Sequence, residues 1–108
     1  MPSAFKSSLA TAVGTTSVDI YTAPAVTTTT VIGFSVANIV AAEITVSATI
    51  TKGGTTASLV RNTVIPIGGT VVLVGGDQKL VLEAGNKISV IANTIGSVDV
   101  VVSVLELS

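Results

Sequence analysis

The chain has no cysteine, no histidine and no tryptophan, and charged residues make up only 10% of its 108 positions. Each absence removes a class of chemistry. Without cysteine there is no disulfide scaffold. Without cysteine and histidine there is no zinc finger, no Cys–His nucleophile pair and no His-based triad. Five Lys+Arg against six Asp+Glu leave a net charge of -1, which excludes a strongly basic nucleic-acid binder. Two Phe and one Tyr supply neither the stacking platform of a single-strand binder nor the aromatic girdles of an outer-membrane barrel. Long apolar runs are missing too. The longest charge-free stretch, Ile20 to Ala42, is interrupted by Pro24, Asn38 and the run Thr27-Thr28-Thr29-Thr30. A membrane-spanning helix needs about 20 predominantly apolar residues, so none is expected. No apolar segment precedes Ala10-Thr11-Ala12, so that tripeptide is not read as a signal-peptide cleavage site.

What the chain does have is β-branching. Val (19), Thr (16) and Ile (10) together make 45 of the 108 residues. A branched Cβ stiffens the side chain and suits a pleated sheet. With 48% hydrophobic residues and almost no net charge, the chain is too apolar for disorder. Its mass of 10.7 kDa predicts one domain. Surface scaling for that mass gives a folded area of about 5,500 Å².

Alternation locates the strands. Val18 to Thr22 alternates and stops at Ala23-Pro24, because proline has no ladder donor. Thr29 to Asn38 follows, with Ile32, Phe34 and Val36 expected on one face. Glu43 to Lys52 is the cleanest signal: Ile44, Val46, Ala48 and Ile50 point one way, and Thr45, Ser47, Thr49 and Thr51 the other. Gly53-Gly54 is a hairpin turn. Strands are predicted at Ala57 to Ile65, Thr70 to Val74, Leu80 to Leu82, Lys87 to Asn93 and Val98 to Leu107. Glu83-Ala84-Gly85-Asn86 reads as a turn. In the last strand Val98, Val100, Val102 and Val104 share one face, and Val101, Leu105 and Leu107 lie on the other. Apolar residues on both faces mark a central strand or one that meets a partner.

Eight or nine short strands, with turn signals about every 8–12 residues, predict an all-β fold. The expected architecture is a single antiparallel β-sandwich, jelly-roll or immunoglobulin-like, over residues 17–108. Residues 1–16 read as an N-terminal arm, an edge strand or a weak helical turn, since Phe5, Leu9 and Val13 recur every four positions.

Candidate chemistry is sparse. The Gly-Gly pairs are corners, and none sits in a phosphate-binding loop pattern. The carboxylates Asp19, Glu43, Asp77, Glu83, Asp99 and Glu106 read as solvated strand faces and turn ends rather than paired catalytic acids. Asp77, Glu83 and Asn86 have the oxygens for a calcium ion but not the spacing of a known loop. No catalytic residue, no cofactor and no metal is therefore expected. Low charge points instead to assembly. A small soluble domain usually covers about 25–35% of its surface with charged residues, and eleven cannot do this. Thr and Ser must coat the outside, and remaining apolar surface must meet another chain. Phe5, Leu9 and Tyr21 are the candidate contact residues.

Val18-Asp19-Ile20-Tyr21-Thr22-Ala23-Pro24 and Val31-Ile32-Gly33-Phe34-Ser35-Val36-Ala37-Asn38 resemble the opening of small β-sandwich virion proteins of tailed bacteriophages. Leu80-Val81-Leu82-Glu83-Ala84-Gly85-Asn86-Lys87 resembles their later turn, with Asn86 where aspartate is commoner. Val102-Ser103-Val104-Leu105-Glu106-Leu107 is similar to their last strand. The resemblance spans most of residues 17–107 and implies a non-enzymatic virion structural protein, foremost a capsid decoration (cement) protein. It further implies the major capsid protein or another virion protein as partner, a homo-oligomer with a trimer favoured, and a place on the capsid surface after assembly in the host cytoplasm. A tail, neck or fibre component is the alternative. A carbohydrate- or receptor-binding module, with Tyr21 as the stacking ring, is the second alternative. Neither nucleic acid nor a membrane is expected as a partner.

Overall fold

Period-two alternation becomes nine strands among the residues that the computed structural model describes, 3–74 and 79–107. They are β1 (Ser3–Val13), β2 (Val18–Thr22), β3 (Thr28–Asn38), β4 (Ile44–Lys52), β5 (Thr55–Ile65), β6 (Thr70–Val74), β7 (Leu80–Leu82), β8 (Lys87–Ala92) and β9 (Val98–Leu107). Every pairing is antiparallel. Two sheets result. The first has the order β1-β9-β3-β6, with β7 continuing the β6 side of β3; the second has the order β2-β8-β4-β5. They pack as a β-sandwich.

The connectivity is nested. β1 pairs β9, β2 pairs β8, β3 pairs β6 and β7, and β4 pairs β5. β6 and β7 occupy one strand position, because they lie against successive parts of β3 (34–37 and 29–31). The chain is thus a long antiparallel ribbon closed at its tip by the Gly53-Gly54 turn. Rolling that ribbon brings β3 beside β9 and β4 beside β8. Four nested pairs in two rolled sheets are the strand order of an eight-position jelly roll. At the tip Gly53 alone takes a positive φ, 59°, as a II′ hairpin turn requires. At Glu83–Asn86 the Asn86 N–H donates to the Glu83 carbonyl at 3.0 Å, with Gly85 at φ 84°, a conformation that favours glycine.

The core lies between the sheets and is built mostly from valine. Val31, Val36, Val46, Val90, Val98, Val100, Val102 and Val104 are buried with Phe34, Ile44, Ile65, Leu82 and Ile88. The accessible surface is 5707 Å², close to the area expected from mass, so the chain reaches ordinary burial without further help. Asn38 is the main buried polar group. Its Nδ2 donates to the carbonyls of Ala42, Ile65 and Pro66, and its Oδ1 accepts the Val40 N–H at 2.9 Å. One side chain thereby fastens the end of β3 to the end of β5.

Bulges correct two expectations from the sequence. Ile32 does not share a face with Phe34 and Val36. An extra residue on β3 between Val31 and Gly33 shifts the alternation, so Val31 points into the core and Ile32 is only half-buried. The helical reading of Phe5, Leu9 and Val13 also fails. These residues lie on β1, where Phe5 and Leu9 face outward and Val13 inward. The reversal comes from a bulge between Ala10 and Val13, with Ala12 at φ 52°. A left-handed alanine is costly, and its N–H is compensated by the Asp99 carboxylate at 3.0 Å.

The bulge on β3 fixes the ranking of two adjacent substitutions. Val31→Ala removes fully buried methyls and should cost about 2 kcal/mol or more, whereas Ile32→Ala should cost less than about 1 kcal/mol. Urea unfolding of both variants measures the difference. Equal costs, or a larger loss at Ile32, would contradict the register.

Candidate interaction surface

The outer faces of the two sheets differ in chemistry. On the first sheet the outward positions align in rows across the strands. One row runs Phe5, Leu105, Thr30, Val81. A second runs Leu9, Val101, Ser35, Val72. Ser7 and Ser103 lie between the rows, and Leu107 lies beside the first. Six of the twelve exposed large apolar side chains among the described residues are on this face: Phe5 (76% exposed), Leu9 (68%), Val72, Val81, Val101 and Leu107. Asp99 is the charged strand residue at one end of it, and its carboxylate is taken by the Ala12 N–H. Four strand positions about 4.8 Å apart and eight residues of about 3.4 Å make an area of about 500 Å². Ser7, Ser103, Thr30 and Ser35 lie within that footprint among the apolar side chains.

The second sheet presents a mainly polar outer face, on which Val64 and Ile91 are the exposed large apolar side chains. Asp19, Ser89, Thr49 and Ser58 form one row, and Thr22, Lys87, Thr51 and Thr56 the next. The Thr51 and Thr56 hydroxyls bond each other at 3.1 Å. Asp19 accepts from Ser89 Oγ at 2.7 Å and pairs with Lys87 at 3.3 Å. The Ser89 hydrogen bond, then Lys87, holds the Asp19 carboxyl below its usual range. Threonine and serine in place of charge keep this face hydrated.

Of the three candidate contact residues, Phe5 and Leu9 lie on the apolar face and Tyr21 does not. Tyr21 turns inward at the edge of the second sheet, with its ring half-buried. Its hydroxyl donates to Glu106 Oε2 at 2.5 Å and meets the Thr29 hydroxyl at 2.9 Å. Since the phenol proton goes to Glu106, Thr29 is the donor to the phenol oxygen. Lys6 Nζ completes the cluster at 2.9 Å from Glu106 Oε1. Strands β1, β2, β3 and β9 are thereby joined across the gap between the sheets. Glu106 is only 9% exposed, so its two donors, Lys6 and Tyr21, are what make its burial tolerable. Lys6 first, then Tyr21, pulls its carboxyl below the usual range. Burial, then the Glu106 carboxylate, pushes the Tyr21 phenol up to about 12. The sequence carried a signal for this cluster. Glu106 has the parity of Val98, Val100, Val102 and Val104, so it had to end a buried row.

Surface depressions among the described residues include these two. One of about 530 Å³ is lined by Ile50, Lys52, Thr55 and Ala57 at the tip of the β4–β5 hairpin. The other, about 450 Å³, is lined by residues 10–16 with Val18, Ile95 and Gly96, none of them ionisable. Among the described residues no three acidic groups converge as a metal site. Asp77, one member of the calcium set considered from the sequence, lies outside the described residues. In comparisons with known proteins, no family model, no curated sequence and no solved structure matches the chain.

The cluster predicts a two-sided pH profile. The Tyr21 phenol is raised from 10.0 to about 12, so its contribution is fully present below pH 10.0 and is lost as pH rises through about 12. Glu106 is lowered from 4.5, so its contribution is present above pH 4.5 and is lost as pH falls through the lower folded value. Tyr21 is the sole tyrosine and there is no tryptophan, so phenolate absorbance reports this residue alone. The folded chain should titrate near 12 and the urea-unfolded chain near 10. Tyr21→Phe should remove the alkaline loss and cost about 1–2 kcal/mol at neutral pH. A folded midpoint near 10 would contradict the hydrogen bond to Glu106.

Proposed function

We propose that the chain is a non-enzymatic virion structural protein, a capsid decoration (cement) protein that lies on the major capsid shell and stabilises it. The observation that carries this reading is the contrast between the two outer faces. One is hydrated by threonine, serine and a Lys–Asp pair. The other carries two apolar rows with almost no charge. Such a face loses little by desolvation and gains about 25 cal/mol for each Å² of apolar area removed from water. Each copy contributes a modest contact, and many copies on one particle sum to a shell that resists internal pressure. The jelly-roll order supports the reading, since viral shells use this architecture. The resemblance of residues 17–107 to small virion proteins of tailed bacteriophages points the same way. Docking as part of a tail, neck or fibre would use the same face. Copy number separates the two: hundreds per particle for decoration, a few to a few tens for a tail part.

The docking role is tested by point substitution, because β1 is a full member of the sheet and deleting it would expose β9. Phe5→Ser with Leu9→Ser should lower occupancy on empty capsids by tenfold or more, since each buried side chain contributes about 1.5–3 kcal/mol and 1.4 kcal/mol is tenfold. Ile91→Ser, on the outer face of the second sheet, should leave occupancy unchanged. Undiminished binding of the double variant would overturn the assignment of the surface.

A further inference from the structure

The sandwich has four places where a strand has an open side, and three of them are protected. β2 has five residues, a bulge at Ile20 and Pro24 just beyond its end. β5 is long but carries two bulges, one with Asn62 at φ 51° held to Ser47. β6 and β7 have five and three residues. Short strands, bulges and proline are the ways in which sheets avoid edge-to-edge pairing. β1 has none of them over Ser3 to Ala10, where its pairing with β9 runs without interruption. β9 is its ladder partner among the described residues, and its other side is open. Its single charge, Lys6, would ordinarily guard the edge, but Lys6 Nζ is directed to Glu106.

We infer that β1 is a pairing edge for a second copy of this chain, which adds its own β1 antiparallel around a two-fold axis at Ser7. The register follows from faces, charges and the pairing of the large apolar side chains. Two copies can extend the sheet only if outward residues meet outward residues. Placing Lys6 on the axis satisfies this but sets two lysines opposite each other, and like charges across a strand pair repel. Placing Ser7 on the axis sets Phe5 opposite Leu9 of the second copy, Leu9 opposite Phe5, and Lys6 opposite Ser8. Both large side chains then gain an apolar neighbour, and no like charges meet. The contact uses the same strand from both copies, so it closes at two and does not propagate. It also joins the two apolar outer faces side by side. Together they present about 1,000 Å² of sheet, twice the footprint of one face. The inference rests on the edge of β1 and stands whether or not the joined face docks on a capsid.

Sedimentation across chain concentration and a cysteine scan test it in a chain that has no cysteine of its own. Opposed residues in an antiparallel pair have Cα atoms about 4.5–5.5 Å apart, within the reach of a disulfide. Ser7→Cys should therefore cross-link two chains under mild oxidation. Phe5→Cys should not, because its two thiols would lie about 14 Å apart along the strands. The unaltered chain should approach twice 10.7 kDa as concentration rises. Phe5→Lys should abolish the dimer, and Phe5→Lys with Leu9→Glu should restore it by pairing opposite charges across the axis. These positions are exposed, so the fold should tolerate them. A mass that stays at one chain up to millimolar concentration, a mass of three chains, or equal cross-linking at both positions would overturn the inference.

Discussion

β9 lies between β1 and β3, and its two faces meet opposite demands. Val98, Val100, Val102 and Val104 fill the space between the sheets, while Val101, Leu105 and Leu107 form the middle of the apolar outer face. A strand that is apolar on both sides normally has both sides covered. Here one side is covered by the second sheet and the other is left open. The remaining architecture follows from that placement. β1 must bind β9 on one flank and β3 on the other, and the nested ribbon brings Ser3 and Leu107 together there.

Charge is placed so as not to disturb this arrangement. Glu106 continues the inward row of β9, where a carboxylate would be costly if it were isolated. Lys6, Tyr21 and, through the phenol, Thr29 surround it instead. The same contacts turn the lysine of β1 away from the open edge and tie the two sheets at that corner. Asp99, at the other end of β9, compensates the strained bulge at Ala12. A chain with few charges thus commits several of them to contacts within the fold, and this leaves the outer face of the first sheet nearly neutral.

Much of the fold was legible in the sequence because alternation survives in a two-layer β structure. The bounds of Val18–Thr22, Thr70–Val74, Leu80–Leu82 and Val98–Leu107 can be read directly, as can the inward set Ile44, Val46 and Ala48. The all-β sandwich follows from these. Bulges were not legible. Nothing in Val31-Ile32-Gly33 announces an extra residue, and one extra residue inverts every later assignment on that strand. For the same reason Phe5, Leu9 and Val13 resembled a helical spacing. The apolar face was half visible: Phe5, Leu9 and the outward row of β9 could be named, but Val72 and Val81 sit on strands too short to show which way they point. The inward turn of Tyr21 was not legible, because pairing across 85 positions with Glu106 leaves no local trace.

Under the proposed docking of the apolar face, binding changes one outer face and leaves the other as it was. Hydroxyl-radical footprinting of the chain bound to empty capsids reads both faces in one measurement. Phe5, Leu9, Val72, Val81, Val101 and Leu107 should lose reactivity on binding, while Val64 and Ile91 on the second sheet should keep theirs. Protection of Val64 and Ile91 with continued reactivity at Phe5 and Leu9 would contradict the account.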